Sequence, residues 1–177
     1  MKTRKLTTCA IIIALACVAS VIKLYRFPFG GSVTLLSMLL ISLPAWIYGT
    51  RTGIVSGLCY GIIQFALGPT FISLPQFFLD YILAFSIMGL GGIFKDSSHS
   101  LIKCYVTAAI SRWAAATLAG LAWVAAGSTV WDGWNPILYS MAYNGAYISA
   151  EAILTLAIVS LPQMKNMLGY LKEKALV

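Results

Sequence analysis

The segment PILYSMAYNGAYISAEAILTLAIVSL, residues 136–161, decides the fold class of this chain. Glu151 is its charged residue, and its length exceeds the roughly 20 residues that a helix needs to cross a bilayer. Similar apolar runs fill most of the remaining sequence. The pattern predicts a polytopic membrane protein of the all-α class.

The composition of the whole chain supports this prediction. The 177 residues are 60% hydrophobic and only 10% charged, whereas a soluble domain carries about 25% charged residues. A water-facing surface cannot be built from so few charges, so lipid must cover most of the protein. We expect a single transmembrane domain over residues 1–177.

Six transmembrane helices are predicted from the apolar runs, at residues 6–22, 33–48, 53–67, 76–94, 101–126 and 136–161. The second and third are short and separated by a tight gap at residues 50–52, which indicates a helical hairpin. The loops between the helices carry glycine, proline and aspartate, the residues typical of turns.

The positions of the lysines and arginines predict the orientation. With both termini in the cytoplasm, the outer loops hold only Lys23 and Arg26, and Arg112 lies within a span. The remaining basic residues all fall on the inner side: Lys2, Arg4, Lys5, Arg51, Lys95, Lys103, Lys165, Lys172 and Lys174. Cytoplasmic loops of membrane proteins carry such an excess. We therefore expect a cell-membrane protein rather than a nucleic-acid-binding one, despite its net charge of +7.

Small residues at four-residue spacing mark faces where helices pack closely. Gly53, Gly57 and Gly61 form one such stripe, which we expect to pack inside the bundle. Ala10 and Ala14 form another on the first helix. This alanine stripe either packs internally or faces a partner subunit.

Three ionisable residues lie within the predicted spans. Arg112 and Glu151 both lie roughly 14–15 Å from the inner boundary at about 1.5 Å per residue, and we interpret them as a structural ion pair. Asp80 lies near the outer surface without an obvious cation. Its carboxylate either reaches interfacial water or receives a cationic or hydrogen-bond-donating ligand from outside.

Aromatic and amide side chains surround Asp80 at the same predicted depth, which favours a ligand site. They are Phe27, Phe29, Gln76, Tyr81, Trp123, Trp131, Trp134, Tyr139, Tyr143 and Asn144. Aromatic faces and one carboxylate suit a flat, positively charged heteroaromatic molecule. Trp131 and Trp134 fit the interfacial belt of a membrane protein better than a pocket.

Catalytic and metal-binding patterns are absent from the sequence. It has no glycine-rich nucleotide loop, no nucleophile–base arrangement and no metal-ligand spacing, and its four cysteines fit small core positions. We expect a protein that is not an enzyme and that uses neither a cofactor nor a metal.

Three motifs resemble the thiamine-binding S components (the ThiT family) of energy-coupling factor transporters. They are GGSVTLLSM at residues 30–38, PQFFLDYILAF at residues 75–85 and YSMAYNG at residues 139–145. The resemblance implies a six-helix S-component bundle that binds thiamine from outside. It also implies docking on a transmembrane T component with two ATPases, through the Ala10 and Ala14 motif.

Carried over by position, the resemblance assigns thiamine contacts to Asp80, Tyr81, Tyr139 and Asn144, and an aromatic contact to Phe27 or Phe29. Ala116 stands where the family has a histidine, and Trp123 is displaced from the usual aromatic position. The ligand is therefore thiamine or a different compound such as a vitamin B6 form or a thiamine precursor. A membrane scaffold without a ligand is the alternative from another class.

Overall fold

The computed structural model describes residues 2–68, 73–127 and 133–176, except for the side chains of Lys2 and Phe29. The described helices are α1 Lys2–Val21, α2 Ser37–Tyr48, α3 Thr50–Leu67, α4 Leu74–Phe94, α5 Ser100–Ala125, α6 Pro136–Ser160 and α7 Pro162–Leu176. Two short strands, β1 Lys23–Arg26 and β2 Ser32–Thr34, join α1 to α2.

The helical membrane fold expected from the sequence is confirmed. Within the described residues, α1, α4, α5 and α6 contain stretches long and apolar enough to cross a membrane. The shorter apolar helix α2 and the 18-residue helix α3 complete six bundle segments. Two features were not expected: the polar helix α7, and the β-hairpin, whose second strand replaces the first turn of the second predicted helix.

The β-hairpin folds back over the bundle between α1 and α2. Its strands pair antiparallel, with Tyr25 opposite Val33 and Arg26 opposite Ser32. Val33 and Thr34 are buried, whereas β1 is exposed along its length. Strand β2 therefore packs on the helices, and β1 is the exposed strand of the hairpin.

The turn between α2 and α3 is as short as the sequence indicated. It consists of Gly49, whose φ of +91° lies in a region that side chains with a Cβ disfavour. The Gly49 N–H donates to the Ala45 carbonyl and closes the last turn of α2. The two helices therefore run antiparallel side by side.

Helix α4 departs from regular α geometry along most of its length. Residues Phe78–Leu83 form a π-helical stretch, and Ile87–Phe94 form a 3₁₀ stretch. Asp80 and Tyr81 lie in the π-helical part. Such wide turns occur frequently at functional sites, because they change the direction in which side chains project.

The glycine stripe of α3 packs inside the bundle, as predicted. A Cβ built on Gly53 would lie 2.8 Å from the Gly89 Cα, and one on Gly57 would lie 2.2 Å from the Phe85 carbonyl oxygen. At Gly61 the Tyr81 carbonyl oxygen would be 2.0 Å away. The absence of a Cβ at these three positions of α3 thus allows the backbone of α4 to approach closely.

Helix α7 closes the end of the bundle opposite the β-hairpin. The Lys172 ammonium donates to the Lys95 carbonyl at 2.8 Å and lies 4.7 Å from the Trp46 ring centre. The Tyr48 hydroxyl donates to the Ala175 carbonyl at 3.1 Å. Partial burial lowers the pKa of Lys172, and the charge of nearby Asp96 opposes this decrease. These contacts bring Lys95 and Lys172, both predicted to lie on the cytoplasmic side, together at the end of the bundle opposite the β-hairpin.

Candidate ligand-binding site

A cavity of about 410 Å³ opens beneath the β-hairpin. Its wall is formed by side chains from α1, α3, α4, α5, α6 and the hairpin, including Ser20, Arg26, Thr34, Tyr60, Gln64, Gln76, Asp80, Tyr81, Phe85, Arg112, Ala116, Trp123, Tyr139, Tyr143, Asn144 and Tyr147. A space of this volume falls in the range of small-molecule sites. Both aromatic rings and polar groups line it.

The structure brings six of the predicted site residues together around this cavity. Gln76, Asp80 and Tyr81 reach it from α4, Trp123 from α5, and Tyr139 and Asn144 from α6. These residues are separated by up to several tens of positions in the sequence, so their convergence depends on the packing of α4 to α6.

Phe27 lines a different pocket from the other predicted residues, of which Tyr139 lines both. It lines a smaller pocket of about 190 Å³ together with Trp134, Tyr139 and Tyr143, and its ring centre is 6.3 Å from those of Tyr143 and Tyr147. Phe27 thus supports the aromatic wall of the larger cavity from behind. The Phe29 side chain and Trp131 lie outside the described part of the chain.

Asp80 is partly buried at the cavity wall. Its Oδ2 accepts a hydrogen bond of 3.2 Å from the Gln76 Nε2, one turn earlier in α4. Among the described residues no lysine or arginine lies within salt-bridge distance of this carboxylate. Asp80 is therefore held by an amide and keeps acceptor capacity for a molecule in the cavity.

Asn144 is buried and uses its amide to join α5 to α6. Its Nδ2 donates to the Ala116 carbonyl at 3.1 Å and to the Ser140 carbonyl at 2.9 Å. Its Oδ1 accepts the Tyr147 hydroxyl proton at 2.8 Å. Asn144 thus sets the position of Tyr147 and of the α5 backbone at the cavity wall.

Tyrosines of α6 form an aromatic wall. Tyr139 and Tyr143 stack with their ring centres 6.0 Å apart, and Tyr143 meets Tyr147 edge to face at 5.8 Å. The Tyr143 hydroxyl accepts the Gly31 N–H at 2.9 Å and donates to the Pro28 carbonyl. The same residue therefore lines the cavity and ties down the β-hairpin.

The predicted ion pair between Arg112 and Glu151 is wrong. Glu151 is 2% exposed, and its carboxylate accepts hydrogen bonds from the N–H groups of Thr34 and Met38 at 3.0 and 3.1 Å. Equal depth did not imply contact, because Glu151 faces the hairpin and the start of α2. The ion pair found among the described residues joins Lys95 to Asp96.

Arg112 lines the cavity instead of pairing with Glu151. Its guanidinium carbon lies 4.7 Å from the centre of the Phe85 ring. The sequence pattern indicates a structural ion pair for Arg112, so its position in the cavity wall could not be predicted from it.

A polar chain on α1 and α3 was also missed. The Gln64 amide donates to the Tyr60 hydroxyl at 2.6 Å, and the Ser20 hydroxyl contacts the Gln64 Oε1 at 3.3 Å. All three line the cavity. The signal was present as polar residues within apolar runs, but neutral side chains are common there and did not stand out.

The fold and the cavity define the class of protein: a helical membrane protein that encloses a ligand-sized space within its bundle. The family model for the thiamine transporter protein family (Thia_YuaJ) matches residues 6–169. The chain belongs to this family, whose members transport a vitamin rather than catalyse a reaction.

Two relatives support the assignment. The thiamine transporter ThiT of Bacillus subtilis (strain 168) is 28% identical, and the match covers 89% of this chain and 88% of that protein. The solved structure of ThiT from Listeria monocytogenes is similar with a TM-score of 0.73 and 26% identity, covering 90% of this chain and 92% of that one. The expected family resemblance is thus confirmed.

Proposed function

We propose that this chain is the membrane-embedded S component of an energy-coupling factor transporter and captures thiamine from outside the cell. Family membership supports a thiamine ligand. The observation that carries the proposal is the cavity, where Asp80 with its Gln76 partner faces the tyrosines of α6.

Each of the two rings of thiamine would find a suitable surface in this cavity. The aminopyrimidine ring carries an exocyclic amine, which suits the free acceptor capacity of Asp80. The thiazolium ring is a flat cation, which suits the faces of Tyr139 and Tyr143. Ala116 leaves space for the rings of thiamine beside the backbone of α5, since its side chain is a single methyl group.

The orientation follows from charge placement. The cavity lies beneath the hairpin that carries Lys23 and Arg26, whereas Lys95 and Lys172 meet at the opposite end of the bundle. The positive-inside rule favours the lysine-rich end as the cytoplasmic one. The cavity then faces outward, and both termini lie in the cytoplasm of a bacterial cell.

ATP-driven uptake would need a partner that hydrolyses ATP, because the sequence has no glycine-rich nucleotide loop. The proposed partner is a T component carrying two ATPases, and the proposed contact is the α1 face with Ala10 and Ala14. Both alanines are exposed on the bundle surface. Small exposed residues four positions apart allow another helix to approach closely.

Calorimetric titration of thiamine into the detergent-purified chain tests the proposed function. Pyridoxine is the matched control ligand, because it is a flat vitamin of the alternative class. We expect saturable binding of thiamine and little or none of pyridoxine. Selective binding of pyridoxine would transfer the function to vitamin B6, and binding of neither compound would favour a scaffold role.

A further inference from the structure

Helix α7 runs across the end of the bundle instead of prolonging α6. Leu161, between the two helices, has an extended backbone with ψ of +133°, and α7 begins at Pro162. If α7 continued along α6, its 15 residues would project about 22 Å beyond the bundle. Its C-terminal part instead contacts Tyr48 and Lys95, at the ends of α2 and α4. Both ends of α7 therefore lie close to the end of the bundle opposite the β-hairpin.

One side of α7 packs on the bundle. Leu168 is 4% exposed, and the partly buried residues on the same side are Met164, Lys172 and Ala175. Steps of three and four residues keep side chains on one face of a helix. This packed face points toward the bundle and holds α7 against the helix ends.

A second side of α7 carries apolar residues that the bundle leaves exposed. Met167, Tyr170 and Leu171 are 48%, 59% and 47% exposed. Together with Lys174 they follow the i, i+3, i+4, i+7 spacing of one helix face, and we call these four residues the α7 stripe. At 3.6 residues per turn, the stripe lies about a quarter turn from the packed face. It therefore points sideways, along the plane of the membrane.

Lys174 brings a positive charge to the α7 stripe. Its ammonium lies 5.5 Å from the centre of the Tyr170 ring, and among the described residues no carboxylate is within salt-bridge distance of it. Lys165 and Glu173 project from other sides of the helix. Further basic residues lie at this end of the bundle, namely Arg4, Lys5, Arg51, Lys95, Lys103 and Lys172, against the carboxylates of Asp96 and Glu173. The end of the bundle that α7 crosses is thus positively charged.

The apolar surface of the bundle extends to the level of the α7 stripe. Leu6 on α1 and Leu161 immediately before α7 are 76% and 51% exposed. Both lie at the end of the bundle that α7 crosses, where lipid would cover them. A helix side with apolar residues, a tyrosine and a lysine suits the boundary between acyl chains and headgroups. The stripe is therefore continuous in character with the lipid-facing surface.

We propose that the α7 stripe binds the anionic phospholipids of the leaflet at this end of the bundle. Met167, Tyr170 and Leu171 enter the boundary between acyl chains and headgroups, and Lys174 meets the lipid phosphates. The negative charge of such a leaflet is complementary to the positive end of the bundle. This inference goes beyond the proposed function and does not depend on which ligand the cavity takes.

Hydrogen–deuterium exchange of the full chain in lipid nanodiscs tests the proposal. The segment 162–176 is followed in discs of phosphatidylglycerol and in discs of phosphatidylcholine with the same acyl chains, so that the two lipids differ in headgroup charge. We expect α7 to exchange about fivefold more slowly in the anionic discs, the effect of one lysine near an anionic surface.

Matched variants locate the effect on the α7 stripe. Lys174→Gln should remove most of the difference between the two lipids, because it deletes the charge of the stripe. Lys165→Gln deletes the same charge from the other side of α7 and should leave the difference intact. Both positions are exposed, and lysine and glutamine have similar helix propensities, so both variants should fold. Leu171→Gln should speed the exchange of α7 in both lipids, because an amide would not enter the apolar boundary.

Three outcomes would overturn the proposal. The first is an equal exchange rate of α7 in the two lipids. The second is an equal effect of Lys174→Gln and Lys165→Gln, because α7 would then respond to net charge and not through the stripe. The third is exchange that does not depend on the lipid but slows when a T component with its ATPases is added, which would assign the stripe to a protein partner. Thiamine titration into the same discs tests the proposed function separately.

Discussion

The carboxylate of Glu151 on α6 holds Thr34 of the β-hairpin by two hydrogen bonds, across 117 positions of sequence. Its Oε2 accepts the Thr34 N–H at 3.0 Å and the Thr34 hydroxyl at 2.8 Å. Its Oε1 accepts the N–H of Met38, a group at the start of α2 that has no partner within its own helix. Glu151 therefore links the β-hairpin, which covers the cavity, to helix α2.

Leu36 lies between these two anchored points, in the left-handed backbone region with φ of +61°. This conformation costs a side chain with a Cβ about 1–2 kcal/mol. It persists because the surrounding hydrogen bonds fix the chain on both sides. The buried charge thus maintains a strained bend at the edge of the cavity.

Glu151→Gln should therefore destabilise the protein by about 1–3 kcal/mol, because a neutral amide leaves at least one buried donor without an acceptor. Thermal unfolding in detergent measures the loss. Glu173→Gln, at an exposed position of α7, is the matched control and should change little.

Adding Arg112→Met to Glu151→Gln should give an additive further loss of stability, since the two residues are not hydrogen-bonded to each other. Recovery of stability in the double variant would contradict this account.

Asp80→Asn should weaken thiamine binding by about ten- to a hundredfold while the protein stays folded, because the nearly isosteric amide removes a charge-assisted hydrogen bond. Calorimetry on wild type and variant gives the two dissociation constants. Asp96→Asn changes an exposed aspartate at the other end of the bundle and should leave binding intact. Unchanged affinity in folded Asp80→Asn would remove Asp80 from the site.

Ala14→Trp should abolish most thiamine uptake and copurification with a T component, while binding by the isolated chain remains. The indole would prevent another helix from approaching α1 closely. Uptake by whole cells and pull-down of the T component are the readouts. Ala157→Trp places the same side chain at an exposed alanine of α6, and normal uptake by both variants would argue against the α1 interface.

Gly61→Ala should destabilise the bundle by about 1–3 kcal/mol through overpacking. Its new methyl group would meet the Tyr81 carbonyl oxygen, which is backbone and cannot rotate away. Thiamine affinity should fall too, because the new methyl group would displace the turn of α4 that carries both Tyr81 and Asp80. Gly169→Ala, in α7 with open space around it, should leave both stability and affinity near wild type or slightly raise stability.

The membrane class, the helical segments and the internal packing of Gly53, Gly57 and Gly61 could be predicted from the sequence. Each depends on neighbours within one stretch of chain: length and apolarity determine a span, and four-residue spacing determines a helix face. Asp80 also stood out by itself, because a carboxylate within an apolar run is costly wherever the run lies.

Tertiary structure alone decided the partners of the buried charges. Arg112 and Glu151 lie at equal depth on sequential helices, but the rotation of each helix about its axis determines what its side chain meets. Glu151 meets the N–H groups of Thr34 and Met38, and Arg112 meets Phe85 and the cavity. The depth of a residue follows from counting along one helix, whereas the rotation of that helix follows from the packing of all helices together. For that reason only the folded bundle shows that Glu151 holds the hairpin and that Arg112 lines the cavity.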